Sequence, residues 1–535
     1  MRKIKLLSVI APVCLLSVTA LTGCRSKKLG PADTDGLDVN VETRGVTISM
    51  WTGFGQSVND VLEPLLEEFT EKTGINVTYE TKGGYDNLQN AINLAATSQE
   101  YANVAVGYPD HFAGYINSNI QLRLDGLLKN DAKRKVAGKD DEGYDVDKDG
   151  IRLMDYNSFY KDFTPENESL EFKSDGTGYV LGLPFNKSSE VMVYNKQFFD
   201  WAKTQNDIKD TIFVPSTWDE VKSVGKAVNA YFDAKGVWGK GLYSNGNVYA
   251  SDPGISGVSG VSVVFDAKAV ASKDKFRLLS YDSTANLFIT LIRQFGGTYT
   301  EIDKTTNGKG YVAFNDDAYK AKTLEAMAML RELGTGTDAV FGIPATFGEK
   351  SYCSGPFKKY QSLLNIGSTG GLSNSIGSFA VDCAPIPQRV KSGDKFVISQ
   401  GTNLALFNKG TEAEKVASWK LMVFLSQQVN GAFAAGTGYF PTCEAAMNST
   451  AYQDYLNNSF GAGEKLAQNA AIINTLQYGK PDLGWTRFVD PGFQGSSAIR
   501  AEATNIPVKV LMDATMTDQA ILDAAYVTLA DYVRK

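Results

Sequence analysis

Strands alternate with amphipathic helices from Val46 to Tyr108, and that alternation limits what the chain can fold into. "VTISMW" (Val46 to Trp51) alternates small and large apolar residues and runs into a Gly-containing turn, "TGFGQS". The run from Val58 to Lys72 then places Val61, Leu62, Leu65, Leu66 and Phe69 on one stripe with acids opposite, which predicts a helix. "INVTYE" (Ile75 to Glu80) reads as a second strand, Tyr85 to Thr97 as a helix, and "ANVAVGY" (Ala102 to Tyr108) as a third strand. The pattern predicts an α/β fold, a parallel sheet with helices on both faces. In such sheets the ligand crevice lies beyond the carboxyl ends of the strands. Trp51 and Tyr108 stand at those ends, so "TGFGQS" and "YPDHFAGY" are expected to face one crevice.

Downstream the signals change. Lys129 to Asp175 is polar and irregular, an insertion holding "YDVDKDGIRLMDY". "GYVLGLPFNKSSEVMVYNKQFF" reads as a strand pair, and "PSTWDEV" opens a helix with Thr217 as N-cap and Glu220 three residues on, a capping box. A Gly-rich stretch, "NIGSTGGLSNSIGSF", precedes the strand-like "FVISQGTNLALF"; helices follow from Thr411 to Ala435 and from Asp518 to Tyr532.

With 535 residues, 43% of them hydrophobic, the chain can bury a large core, as several domains or one two-lobed unit. Its net charge of −7 lacks the basic footprint that a nucleic-acid partner requires. The first residues are of another kind: Arg2, Lys3 and Lys5, an apolar run from Leu6 to Leu21, and "LTGC" ending at Cys24. Residues 1–23 read as a secretory signal peptide, and Leu21-Thr22-Gly23-Cys24 resembles the lipobox of bacterial lipoproteins, in which the cysteine becomes an acylated N-terminus. Several acyl chains such as palmitate on one residue anchor stably in a membrane. Residues 24–45 are polar and aperiodic and read as a flexible tether. Cys14 would be removed and Cys24 lipidated, which leaves Cys353, Cys383 and Cys443, an odd number whose pairing stays open. No Cys/His spacing suits zinc.

The order of these motifs resembles the family 1 extracellular solute-binding proteins, the lipid-anchored receptors of bacterial ABC importers that include maltose-binding protein. The resemblance runs from about Val46 to Lys535 and is strongest at "GLPFNKSSEVMVYNKQFF", "PSTWDEV", "FGGTY", "AFNDDAYKAKTLEAMAML" and "WKLMVFLSQQVNGAFAAGTGYFP". It implies a type II periplasmic-binding-protein fold, with two hinged α/β lobes around a central ligand cleft. The crossings are expected near Pro184 to Ser188, Arg389 to Ser399 and Gly438 to Glu444. The N-lobe would hold residues 46–184 and 398–442, including the insertion at 129–175; the C-lobe would hold 185–397 and 443–535. Departures in size, chiefly that insertion, leave the substrate of any one relative in doubt. The implied role is a carbohydrate receptor, for an oligosaccharide, that sits outside the cytoplasmic membrane, works as a monomer and hands its ligand to an ABC permease. Glycerol 3-phosphate, a peptide, a sensor subunit and a secreted glycoside hydrolase are the alternatives.

Sugar binding needs aromatic faces for ring C–H patches and planar polar groups for hydroxyls. The expected N-lobe contacts are Trp51, Phe54 and Tyr108 with Gln56, Asp110 and His111, the last two at positions where the family presents an acid and a basic residue to sugar. Phe112 is expected in the core. Asn186, Ser368 and Thr369 are expected to line the cleft, and Tyr439 and Phe493 are two further aromatic candidates. His111 is the only histidine, and no nucleophile motif accompanies it, so no catalytic residue is assigned. Asp145, Asp147 and Asp149 with Gly150 match the first half of an EF-hand loop, although Tyr156 stands where the bidentate Glu belongs. A structural calcium rigidifying the insertion is the one cofactor expectation.

Overall fold

The computed structural model describes residues 32–115, 119–154, 171–172, 178–251, 260–303, 309–459, 462–477 and 484–534. Residues 1–23, expected to be a signal peptide, and Cys24 lie outside the described residues.

Ten strands form one sheet: β1 (Thr47–Thr52), β2 (Asn76–Thr81), β3 (Val104–Gly107), β4 (Leu183–Asn195), β5 (Arg277–Tyr281), β6 (Phe341–Gly342), β7 (Ser362–Ser368), β8 (Val381–Pro385), β9 (Lys395–Leu406) and β10 (Trp485–Phe488). The order is β6-β5-β7-β4-β9-β3-β1-β2, with β8 on β4 and β10 on β9. β1 pairs in parallel with both β2 and β3, as the alternation of strands and helices requires. Two separate apolar cores pack on this sheet, one around β1 to β3 and one around β5 and β7.

The two long strands β4 and β9 join the cores. Along β4 the core changes between Phe185 and Val191, and the residues between are polar: Asn186, Lys187, Ser188, Ser189 and Glu190, all at most 4% exposed. β9 carries a matching polar run, Ser399 to Asn403, paired antiparallel with it. Buried polar groups need partners. Here Ser189 Oγ donates to the Ile398 carbonyl at 3.1 Å and Lys187 Nζ to the Gly401 carbonyl at 3.2 Å. Gly401 has φ +109°, and a Cβ there would lie 2.2 Å from the Asn186 carbonyl oxygen, so only glycine lets the two strands approach so closely. A third link runs from Phe440 N to the Lys187 carbonyl at 2.9 Å.

Three segments differ from the sequence expectation. Residues 32–45 are packed against the N-lobe: Thr34 and Thr43 are buried, and Thr34 Oγ1 donates to the Arg123 carbonyl at 2.7 Å. Their backbone and short polar side chains find partners on the lobe, a signal that composition does not carry. Cys443, Ala445 and Ala446 pack into the N-lobe core, so that lobe continues past residue 442.

The acidic turn of the insertion is the third. Asp147 Oδ1 accepts from the amides of Asp149 and Ile151, while Asp147 Oδ2 lies 2.8 Å from Arg134 Nη1 and 3.1 Å from Lys420 Nζ. Asp149 Oδ2 lies 2.8 Å from the same ammonium, and Asp145 pairs with Lys139 at 2.8 Å. Burial raises the Asp147 pKa, but Arg134 and Lys420 outweigh it and hold the carboxyl below its usual value. The residues therefore do not fit calcium: Lys420, from a helix far away in sequence, supplies the charge that a cation would bring. Among the described residues no cluster of His, Cys, Asp or Glu suits a metal ion. Cys353, Cys383 and Cys443 form no disulfide.

Candidate functional site

The polar run of the hinge forms the floor of a cleft between the lobes. Its N-lobe wall begins where β3 ends: Pro109 occupies the first turn of a short helix, Pro109–Ala113, that turns Asp110 and His111 toward the cleft. Phe112, 1% exposed, packs beneath as core. The C-lobe wall is formed by the Thr284–Gln294 helix and the first turns of the Ser496–Met512 helix.

The cleft has two chambers that meet at Tyr108, Gln400, Gly401 and Arg500. The forward chamber, ≈ 560 Å³, is lined by Tyr85, Tyr439, Asn186, Glu190, Asn286 and Ser368, among others. The rear chamber, ≈ 350 Å³, is lined by Asp110, His111, Tyr299, Thr300, Ser399 and Asp490, among others. Both volumes suit a small molecule.

Aromatic rings crowd the forward chamber. Tyr85 and Tyr108 meet edge to face at 5.0 Å, and Tyr439 lies parallel to Phe433 at 6.0 Å. Burial raises the phenol pKa values of Tyr85 and Tyr108, so both stay neutral donors and acceptors. Asn186 Nδ2 donates to Tyr85 Oη at 3.0 Å, and Thr402 Oγ1 donates to Asn186 Oδ1.

A buried network sets the opposite wall. Tyr281 Oη and Asn286 Nδ2 both donate to the Glu190 carboxyl, the latter at 2.9 Å; Asn286 Nδ2 also reaches Gln400 Oε1 at 2.7 Å, and Arg500 Nη2 donates to Asn286 Oδ1. Burial pushes Glu190 up to about 7, although Tyr281, Asn286 and Arg500 all favour its charged form. Asp282 is raised by burial, against bonds from Cys353 N and Asn365 Nδ2.

In the rear chamber burial lowers the His111 pKa despite Asp110 and Asp86, which favours a neutral imidazole. Burial pushes Asp490 up to about 7 despite Arg500 and Arg293. Ser497 Oγ donates across the cleft to Asp110 Oδ2 at 3.1 Å, so the two lobes touch at this point.

The structure thus places Tyr108, Asp110, His111, Asn186, Ser368 and Tyr439 on the cleft. Five expected contacts lie elsewhere. Trp51 is half-buried away from both chambers with Lys82 Nζ 3.8 Å over its ring; Gln56 is exposed and bonds Asp60 at 2.7 Å. Phe54, 4% exposed, packs among Tyr85, Phe185 and Phe433. The cause is the loop before Tyr85, whose Gly84 backbone lies so near Gly53 that a Cβ there would sit 2.7 Å from it. This loop lies over Gly53, and Tyr85 takes the cleft position. Phe493, 1% exposed, packs flat under Gly310 in the C-lobe core. Thr369 is 1% exposed, behind the lining residues Ser368 and Gly370.

Tyr85, Glu190, Asn286, Gln400 and Arg500 were not anticipated. Glu190 and Gln400 had a legible signal, polar residues inside otherwise apolar strands; the helix residues had none.

The family profile of the bacterial extracellular solute-binding proteins matches residues 65–458. The chain belongs to that family. A comparison with curated protein sequences returned no match. Several solved solute-binding proteins share the fold at low identity. UgpB from Mycobacterium tuberculosis in complex with glycerophosphocholine is 15% identical with a TM-score of 0.61, covering 91% of this chain and 98% of its own. The ABC substrate-binding protein Lmo0181 from Listeria monocytogenes in complex with cycloalternan is 15% identical with a TM-score of 0.59, covering 91% and 99%. The maltose/maltodextrin-binding domain MalE from Bdellovibrio bacteriovorus bound to maltotriose is 16% identical with a TM-score of 0.57, covering 91% and 99%. Among the described residues of this solute-binding protein, no helix is long and apolar enough to cross a membrane.

Proposed function

We propose that this solute-binding protein is the carbohydrate receptor of an ABC importer, taking an oligosaccharide by hinge closure and delivering it to a membrane permease. The observation that carries the reading is the forward chamber. Tyr85, Tyr108 and Tyr439 bring ring faces, and Asn186, Asn286, Gln400 and Arg500 bring planar donors and acceptors, to one hinge-floored cleft. That combination matches a sugar's C–H patches and hydroxyls. Ligand that touches both lobes favours the closed state by its differential affinity, and the permease then reads the closed shape.

The protein works by binding and handover, as a monomer held at the outer face of the cytoplasmic membrane through acylated Cys24. Glu190 and Asp282 share the forward chamber, but each carboxyl already accepts two protein hydrogen bonds, which suits wall-building better than glycoside hydrolysis.

Thermal shift and calorimetry against mono- and oligosaccharides, glycerol 3-phosphate, glycerophosphocholine and peptides test the reading. A saccharide is expected to bind, and Tyr108→Ala to weaken it at least tenfold while Trp51→Ala changes affinity less than twofold. Binding of glycerol phosphates or peptides alone would overturn the carbohydrate assignment, and reducing ends released from a polysaccharide would overturn the receptor role.

A further inference from the structure

β2 is the last strand of the N-lobe end of the sheet, and only one of its sides is paired. Asn76 N donates to the Val46 carbonyl and Lys82 N to the Thr52 carbonyl, both at 2.8 Å. In a parallel ladder alternate residues face the same neighbour, so Asn76, Thr78 and Glu80 face β1. Val77, Tyr79 and Thr81 turn their N–H and C=O groups to the open edge, where no described strand meets them. Such an edge pairs readily with another chain unless it is covered, bent or charged.

Here the edge borders a groove of ≈ 470 Å³ between β2 and the Gln56–Thr73 helix. Leu66, Val77 and the Tyr79 ring give it an apolar floor, Leu66 buried and the other two half-buried. Its helix wall carries Glu63, Glu67 and Glu71, all exposed. They stand four residues apart on one helix face, a spacing at which like charges repel. No cation answers them among the described residues. The two lysines nearest in sequence are engaged elsewhere: Lys72 lies against Gly150, and Lys82 pairs with Glu80.

The geometry also defines an occupant. Four helical residues rise about 6.0 Å, and residues on one face of a strand recur every 6.6 Å or about that. A strand laid beside β2 therefore brings every second side chain opposite one glutamate. Lysine or arginine at those positions covers the floor with its apolar stem and sets its charge on a carboxylate. A second copy of this chain is disfavoured, because pairing β2 with β2 puts two glutamate rows side by side. The net charge of −7 works against it as well.

We infer that the β2 edge is a docking site, separate from the cleft, for an extended basic segment of a partner protein with lysine or arginine at alternate positions. The segment adds a strand to the sheet. Main-chain bonds to Val77, Tyr79 and Thr81 hold it, and Glu63, Glu67 and Glu71 select its charge pattern. The site does not depend on which solute the cleft takes.

The test is calorimetry of the protein at low salt with the peptide acetyl-Thr-Lys-Val-Lys-Val-Lys-Thr-amide. A peptide of the same composition with its lysines consecutive is expected to bind at least fivefold more weakly. Copies N-methylated at the lysine amides or at the valine amides separate the two sides of the added strand, and at least one of them is expected to lose tenfold. The variant Glu63→Gln with Glu67→Gln and Glu71→Gln is expected to lose tenfold or more for the parent peptide. It is also expected to melt at or above the parent protein, because the repulsion along the helix is gone. The N-methyl comparison uses the parent protein alone and decides the matter should the variant fold poorly. No binding of the alternating peptide, or equal binding of every peptide, overturns the docking site. Self-association of the parent that the variant lacks would make a second copy the occupant and overturn the basic partner.

Discussion

Glu190 links the cleft to pH. Its carboxyl is fully buried, and burial pushes its pKa from 4.5 up to about 7. That rise corresponds to about 3 kcal/mol of preference for the neutral form in the fold. The folded value lies above the unfolded one, so the folded protein holds an extra proton between pH 4.5 and about 7. Stability therefore falls as pH rises through that window, and the loss is complete above it. Glu190→Gln removes the titration with little change of shape: its amide oxygen still accepts from Asn286, and its amide nitrogen faces Tyr281, whose hydroxyl also lies beside Thr290. Melting temperatures of parent and variant at intervals from pH 5 to pH 8 check the argument. With about 2–4 °C per kcal/mol for units of this size, the variant is expected to match the parent within about 2 °C at pH 5 and to exceed it by about 6–12 °C at pH 8. Asp490, also raised to about 7, is present in both proteins and drops out of the difference. A difference that stays constant across the range would refute the reasoning.

Gly401→Ala is expected to destabilise the hinge, since a residue held at φ +109° costs about 1–3 kcal/mol before the 2.2 Å clash with the Asn186 carbonyl is added. An unchanged urea midpoint would contradict the close pairing of β4 and β9. Lys420→Ala leaves Asp147 and Asp149 with less buried countercharge and is expected to cost about 3–5 kcal/mol in chemical denaturation. Calcium is expected to leave the parent's melting temperature unchanged, and a rise of several degrees would show that the acidic turn takes a cation after all.

Local pattern reached far into this protein. The strands and helices from Val46 to Tyr108 follow from side-chain periods of two and of a helical turn, which neighbours in sequence express by themselves. The placement of Asp110 and His111 after β3 follows from the same rule, because a strand's carboxyl end in a parallel sheet opens onto the ligand crevice. Even the hinge was written as polar runs, "NKSSE" and "SQGTN", inside apolar strands.

Which aromatic side chains reach the cleft was decided only in three dimensions. The loop at Gly84 covers Gly53 and turns Phe54 into core, while Tyr85 comes forward; Phe493 finds Gly310 and disappears beneath it. The charges behave likewise. Lys420 neutralises a turn that reads as a calcium loop, and Arg500 comes from a late helix to stand between both chambers. Periodicity tells a side chain which face of its own element it occupies, but not what the rest of the chain lays over that face. Burial, ion pairing and the shape of the cleft are properties of that covering, and they arise from contacts between residues tens to hundreds of positions apart.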